Sequence, residues 1–186
     1  MKTINLLKNL INLLFWGMIV CSILGFIAVL FLFFSPESLP VMFQGYRMLF
    51  ETDFPWQIWI APLSYIIGFI LFIISIFYLK RCLKPFQENQ FYSEVVIDNL
   101  KKSGRLFIII VLGTSLTRII AAFAFSTYAN ISLIGGSFGS GHTFAAVLSA
   151  IGNVNFFLLI IGLFLLVFSS ALENGKLLKE ENDLTI

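Results

Sequence analysis

Four long apolar runs alternate with polar segments along the chain, and they predict its main structural elements. The runs are Leu13–Phe34, Ile58–Leu79, Leu106–Tyr128 and Leu148–Ser170. Each holds roughly 22 residues, and a helix that rises about 1.5 Å per residue then covers about 33 Å, enough to cross the hydrocarbon core of a bilayer. We therefore expect an all-α integral membrane four-helix bundle in which residues 1–186 form a single membrane domain.

The amino-acid composition indicates that lipid surrounds most of the apolar surface of these predicted helices. Hydrophobic residues make up 59% of the chain, charged residues 12%, and the mean hydropathy is +0.95. Soluble domains carry about 25% charged residues, so a soluble chain of this size could not bury so much apolar surface. The net charge of +2 is too small to indicate direct nucleic-acid binding. The first run is longer than the apolar part of a signal peptide and is expected to stay as a span.

The distribution of Lys and Arg predicts the orientation of the spans. Arg47 lies on one side of the predicted membrane and Arg118 within the third run, whereas the other ten of the 12 lie on the opposite side. These ten are Lys2, Lys8, Lys80, Arg81, Lys84, Lys101, Lys102, Arg105, Lys176 and Lys179. The positive-inside rule makes their side cytoplasmic, so both termini are expected inside, N-in and C-in.

Arg118 interrupts the third apolar run near its middle. A charge there costs about 2.5 to more than 10 kcal/mol unless it is paired or reaches water. Thr114 precedes it by one helical turn, and Ser64 and Asn155 are polar positions in the second and fourth runs. We take Arg118, Thr114, Asn155 and Ser64 as a candidate intramembrane polar site. Three interpretations account for this pattern: an anion or acidic-lipid site, a charge that acts as a switch, or a hydrogen-bonded arginine that fixes helix register.

The polar segments predict cytoplasmic helical extensions of spans three and four. Pro85 is expected to end the second helix, and Ser93 to cap a helix that runs into span three. Asp98 and Lys102 are spaced to pair on that helix. Acidic residues of the C-terminal tail are expected to face a basic cluster on it. The candidate cytoplasmic contact residues are Lys101, Lys102, Arg105, Glu180, Glu181 and Asp183.

Two segments resemble a known family. Pro85–Asn89 followed by Asn99–Gly104 resembles the pattern PF-x-x-EN … L-R-x-I-G between the second and third spans of a bacterial membrane family, domain of unknown function 2975. The ending Phe168–Ile186 is similar to its terminal pattern F-x-x-G-x-x-L-x-E-E-x-D-L-T-I. The terminal pattern is the more specific of the two. Together with the four spans, the resemblance covers essentially the full chain.

Departures from the family pattern are small. Gln87 directly precedes Glu88, a one-residue shortening, and Ser103 replaces the usual aliphatic residue. The resemblance implies a multi-pass protein of the bacterial cytoplasmic (inner) membrane. It also implies signalling rather than catalysis, because members are often encoded beside a small helix-turn-helix regulator.

Three classes of function remain open. The sequence has no Ser/His/Asp set, no paired intramembrane carboxylates and no metal-ligand cluster, so we expect no catalytic residues, metal or cofactor, and no enzyme. The leading hypothesis is a regulatory protein that contacts a cytoplasmic transcriptional regulator or another membrane protein through its loop and tail. One alternative is a small transporter, channel or immunity-type protein that uses a cavity around Arg118. The other is a structural membrane protein.

Overall fold

Four long α-helices form the part of the chain that the structure describes, and this part contains no β-strand. The computed structural model describes residues 2–34, 60–88, 90–132 and 154–184. The helices are α1 (Lys2–Phe34), α2 (Ile60–Gln87), α3 (Glu94–Ser132) and α4 (Phe156–Leu184). Each contains a segment long and apolar enough to cross a membrane. The expected all-α membrane protein with four spanning helices is confirmed.

The helices extend further than the apolar runs at one end of the bundle. α1 is continuous through the polar residues before Leu13, and α2 continues past Leu79. The expectation that Pro85 ends α2 is wrong, because the helix passes through Pro85 and ends at Gln87. A proline removes its own N–H hydrogen bond and crowds the carbonyl four residues earlier, and here this disturbance is confined to the last turn of the helix. The Gln90 N–H then donates to the carbonyl of Pro85 at 2.9 Å.

The first residues of α3 and α4 differ in detail from what the sequence predicts. Ser93 immediately precedes α3, and its carbonyl accepts hydrogen bonds from the N–H groups of Val96 and Ile97. Its hydroxyl is buried without a hydrogen-bond partner among the described residues, so the predicted side-chain cap is not formed. α4 begins at Phe156, later than the predicted span, and residues 148–153 of that span lie outside the described residues.

Neighbouring helices run in opposite directions. At one end of the bundle, Asn5 of α1 meets Gln87 at the end of α2, and Glu94 at the start of α3 meets Lys176 near the end of α4. α3 packs between α2 and α4, and α1 packs on α2. We call this end of the bundle the charged end, and it comprises the described residues of 2–12, 80–105 and 173–184.

Side chains from all four helices build the core. Ile76, Phe107 and Ile110 are buried at its centre. The side chains packed around them are Ile11, Phe15, Met18, Leu71, Phe72, Leu79, Leu158, Ile161 and Leu165. A second buried cluster joins the helices at the charged end, and it consists of Cys82, Val96 and Leu100 with Leu79, Phe86, Leu165 and Leu172 around them. Tertiary packing therefore continues beyond the apolar runs.

Two glycines set the closest approach of α3 and α4. A Cβ atom at Gly104 would lie 2.8 Å from the carbonyl oxygen of Gly162 and 3.0 Å from Cγ of Leu166. A Cβ atom at Gly162 would lie 3.0 Å from the carbonyl oxygen of Gly104. Small residues permit such backbone contacts between helices in lipid, where van der Waals packing drives helix association.

Candidate functional site

Arg118 is held by an aromatic residue of the neighbouring helix. Its Nε donates a hydrogen bond to the hydroxyl of Tyr65 at 2.5 Å, and its guanidinium carbon lies 5.2 Å from the centroid of the Tyr65 ring. A cation over an aromatic face is stabilised by the ring quadrupole. Tyr65 was not among the predicted site residues. The signal that points to it is its position beside Ser64, which had been predicted to meet Arg118.

A second polar contact lies one residue away along the same two helices. Thr117 donates a hydrogen bond from Oγ1 to Oγ of Ser64 at 2.9 Å, so Ser64 and Tyr65 of α2 meet Thr117 and Arg118 of α3. The Thr114 hydroxyl donates instead to the Ile110 carbonyl of its own helix at 2.6 Å. Ser64 and Arg118 thus belong to one α2–α3 polar contact. The Thr114 hydroxyl does not take part in it, because it donates to a carbonyl within α3.

Asn155 caps a helix. Its Oδ1 accepts a hydrogen bond from the Leu158 N–H at 3.1 Å, and the residue is exposed immediately before the first residue of α4. This is the position at which an asparagine side chain satisfies one of the unpaired N–H groups of a helix start. The sequence pattern had placed Asn155 inside a longer span, because the apolar run continues on both sides of it.

The Tyr65–Arg118 contact is expected to contribute measurably to bundle stability. Interhelical hydrogen bonds in membrane proteins are worth about 0.6 kcal/mol on average and at most about 1.7, so we expect Tyr65→Phe to lower the unfolding free energy by about 1 kcal/mol. Thermal or denaturant unfolding in detergent measures this change. Tyr78→Phe is the matched control, because its hydroxyl makes no hydrogen bond among the described residues. Equal losses in the two variants would contradict the assigned contact.

Ion pairs join α3 and α4 at the charged end. Lys101 Nζ lies 2.8 Å from Oε2 of Glu173, and Lys176 Nζ lies 2.7 Å from Oε1 of Glu94. Within single helices, Lys102 pairs with Asp98 at 2.7 Å and Lys176 with Glu180 at 3.6 Å. The two α3–α4 pairs connect residues that are 72 and 82 positions apart in sequence.

The ion-pair partners differ from those anticipated for the basic cluster. Lys101 meets Glu173 rather than the tail acids Glu180, Glu181 and Asp183, and Arg105 is exposed. The reason is helix register. α3 begins opposite Lys176, so the later residues of α4 lie past the start of α3.

The turn between α2 and α3 packs against the tail of α4. A Cβ atom at Gly175 would lie 2.5 Å from Cε1 of Tyr92, so the Tyr92 ring rests against the helix backbone where a larger residue would displace it. A groove of about 380 Å³ follows this contact. Its lining residues are Gln90, Phe91, Tyr92, Ser93, Lys176, Lys179, Glu180 and Asp183. The predicted tail acids Glu180 and Asp183 therefore face the α2–α3 turn.

A second groove of about 360 Å³ lies between α3 and α4 beside the ion pairs. Its lining residues are Glu94, Ile97, Asp98, Lys101, Glu173, Lys176 and Leu177. Three carboxylates and two ammonium groups line it, which suits hydrogen-bonding and charged groups of both signs. Within the described ranges, no three His, Cys, Asp or Glu side chains gather in a way that could hold a metal ion.

Comparison with known proteins gives one match. The family described as Protein of unknown function (DUF2975) matches residues 42–186, a range that contains both sequence patterns quoted above. No curated protein and no solved structure matches the chain.

Proposed function

The chain belongs to the DUF2975 family of proteins of unknown function, and from that premise we propose that it is a regulatory protein of a bacterial inner membrane. In this proposal the charged end is cytoplasmic, as the positive-inside rule requires for ten of the 12 Lys and Arg residues. Both termini are then cytoplasmic, with α3 and α4 reaching beyond the bilayer. The partner is a soluble transcriptional regulator, and the membrane protein itself carries no catalytic role.

The observation that carries this proposal is the ordered surface at the charged end. A buried cluster and two α3–α4 ion pairs fix three chain segments together there. Beside the α3–α4 groove, Val95, Leu177 and Leu178 are exposed. Exposed apolar side chains beside a polar groove are typical of a protein-binding surface.

The charged residues of this surface are expected to contribute more to partner recognition than to the free energy of folding. Exposed ion pairs contribute little to folding stability because water screens them, and the Glu94 side chain is 84% exposed. Changing these charges therefore costs little folding free energy. Charges across an interface instead select the partner and accelerate its association.

Direct binding of a regulator tests the proposal. The probe is a purified helix-turn-helix regulator of the kind often encoded beside members of this family, titrated against the full chain in detergent. We expect Lys101→Glu/Lys102→Glu and the triple variant Glu180→Ala/Glu181→Ala/Asp183→Ala each to weaken binding by about tenfold or more, the equivalent of about 1.4 kcal/mol. Melting temperatures show whether the variants remain folded. Unchanged affinity in both variants would refute the proposed surface.

The Arg118 contact favours a second candidate function, a small transporter, channel or immunity-type protein. Here a guanidinium kept inside an apolar run and oriented by Tyr65 would bind an anionic solute. Arg118→Ala separates the two functions, because it lies far along α3 from the charged end. Loss of a solute flux in that variant, with no binding of the regulator to the native protein, would favour this candidate.

A further inference from the structure

A basic groove lies where α1 meets α2 at the charged end. Its volume is about 430 Å³. Three lysines and one glutamate give its wall a net positive charge. The lining residues are Lys8, Asn12, Lys80, Leu83, Lys84, Gln87 and Glu88.

The three lysines of this groove have no carboxylate partner within 4.0 Å among the described residues. Lys8 Nζ donates a hydrogen bond to Oε1 of Gln87 at 3.3 Å, and Lys80 Nζ lies 4.7 Å from the centroid of the Phe15 ring. Neither neighbour carries a negative charge. The lysines at the α3–α4 contact differ, since Lys101 of α3 and Lys176 of α4 are each paired with a glutamate of the other helix. The wall of the α1–α2 groove therefore has a net positive charge, and none of its lysines forms an ion pair with a described residue.

Hydrogen bonds fix the two walls of the groove to each other. Gln87 Nε2 donates to Oδ1 of Asn5 at 3.0 Å, so Gln87 links Asn5 and Lys8 of α1 to the end of α2. The Oδ1 atom of Asn12 is buried and has no hydrogen-bond partner in the described part of the chain. A ligand that fits this groove would present a negative charge to the lysines and a hydrogen-bond donor to Asn12.

The groove lies at the depth of lipid headgroups. The apolar run of α1 begins at Leu13, and that of α2 ends at Leu79, so the groove stands at the boundary between apolar and charged sequence. Exposed apolar side chains, among them Leu14 and Phe77, continue from it along the two helices. Basic pockets between spanning helices at this depth suit anionic lipid headgroups.

We propose that the α1–α2 groove binds an anionic phospholipid with a hydroxylated headgroup. The phosphate lies among Lys8, Lys80 and Lys84, a headgroup hydroxyl donates to Oδ1 of Asn12, and the acyl chains follow the exposed apolar faces of α1 and α2. This site is separate from the α3–α4 groove and does not depend on the regulator. A lipid here would hold α1 to α2, because it contacts both helices.

Titration of short-chain lipids against the purified full chain in a neutral detergent tests the site. The probes are dioctanoyl phosphatidylglycerol, dioctanoyl phosphatidylcholine, glycerol phosphate and inorganic phosphate. We expect phosphatidylglycerol to bind at least about tenfold more tightly than each of the others. An affinity for inorganic phosphate equal to that for the lipid would overturn the proposal in favour of a free-phosphate site.

Charge-matched variants locate the bound lipid. Lysines near a bilayer surface each strengthen anionic-lipid binding about fivefold, so Lys80→Gln/Lys84→Gln should weaken phosphatidylglycerol binding about 25-fold. The control Lys102→Gln/Lys179→Gln removes the same charge outside the groove and should change the affinity less than about threefold. Equal weakening in both would show general charge attraction and overturn the site.

A second variant tests the role of the asparagine without changing charge. Asn12→Leu should weaken phosphatidylglycerol binding by about fivefold, which is about 1 kcal/mol for one hydrogen bond. It should leave binding of dioctanoyl phosphatidylmethanol unchanged, since that lipid has the same charge and no hydroxyl group. Size-exclusion chromatography and melting temperatures confirm that each variant is folded. Equal loss for both lipids in a folded Asn12→Leu protein would overturn the assigned headgroup contact.

Discussion

Gly104→Ala is expected to lower the unfolding free energy in detergent by about 2 kcal/mol, although alanine is the better helix former. The added Cβ would stand 2.8 Å from the Gly162 carbonyl oxygen, and that oxygen belongs to a helix backbone. α3 and α4 must then separate, which costs about 1 to 3 kcal/mol or more in a close-packed contact. The gain in helix propensity is only about 1 kcal/mol. The steric term therefore dominates.

Gly113→Ala on the same helix is the matched control for this substitution. A Cβ atom at Gly113 would have no neighbour within 4 Å, so only the propensity gain of about 1 kcal/mol remains. Reversible unfolding of both variants in the same detergent measures the difference in its sign as well as its size. If Gly104→Ala proved as stable as Gly113→Ala, the α3–α4 crossing could not lie at Gly104 and Gly162.

Hydropathy predicts the four helices of this fold but not their ends. A helix needs about 20 apolar residues to span the bilayer, and each of the four runs meets that requirement plainly. The ends depend on local hydrogen bonding instead. α2 continues past Pro85 because the proline lies in the last turn of the helix, and α4 starts at Phe156 because the Asn155 side chain caps it. Neither event changes the hydrophobic pattern.

The sequence predicts which polar residues belong to the candidate sites, but it does not predict which residues they contact. An arginine inside an apolar run indicates a polar contact whatever its partner, and the structure supplies Tyr65 as that partner. The basic residues of α3 likewise indicated ion pairs. The identity of their partners depends on the axial offset between α3 and α4. The Gly104–Gly162 contact fixes this offset. Pair identities therefore required the three-dimensional arrangement.

The family patterns have a structural explanation at the charged end. Phe86 and Leu100 of the first pattern pack around the buried Cys82, and Gly104 forms the helix crossing. Gly175 of the terminal pattern accommodates the Tyr92 ring. These residues hold the α2–α3 turn, α3 and the tail of α4 in one arrangement. The patterns thus maintain the shape of the surface to which we assign regulator binding.

Ser103 departs from the family pattern, and its surroundings explain how this chain accommodates the change. Ser75 of α2 and Ser103 of α3 are both completely buried, and their Oγ atoms lie 2.7 Å apart. Ser75 Oγ is also 3.2 Å from the Ser103 carbonyl oxygen. The two hydroxyls form an interhelical hydrogen bond in a space with no room for a branched side chain.

Restoring an aliphatic residue is therefore expected to destabilise this protein. Ser103→Ile adds two heavy atoms to a filled site, and overpacking of this kind costs about 1 to 3 kcal/mol. It also removes a hydrogen bond worth about 1 kcal/mol. We expect a total loss of about 3 kcal/mol in the unfolding free energy, measured by denaturant titration in detergent. Ser170→Ile at an exposed position of α4 is the control and should change stability by less than about 0.5 kcal/mol.

The double variant Ser75→Ala/Ser103→Ile tests whether the two positions share one space. Removing Oγ of Ser75 eliminates a buried hydroxyl that has lost its contact with the Ser103 hydroxyl, and it makes room for part of the isoleucine. Residues in direct contact show interaction energies of about 0.5 to 3 kcal/mol, so we expect the double variant to regain about 1 to 2 kcal/mol relative to Ser103→Ile. Strictly additive losses would contradict the contact. Recovery would show that the serine at position 103 and its partner in α2 compensate each other in this chain.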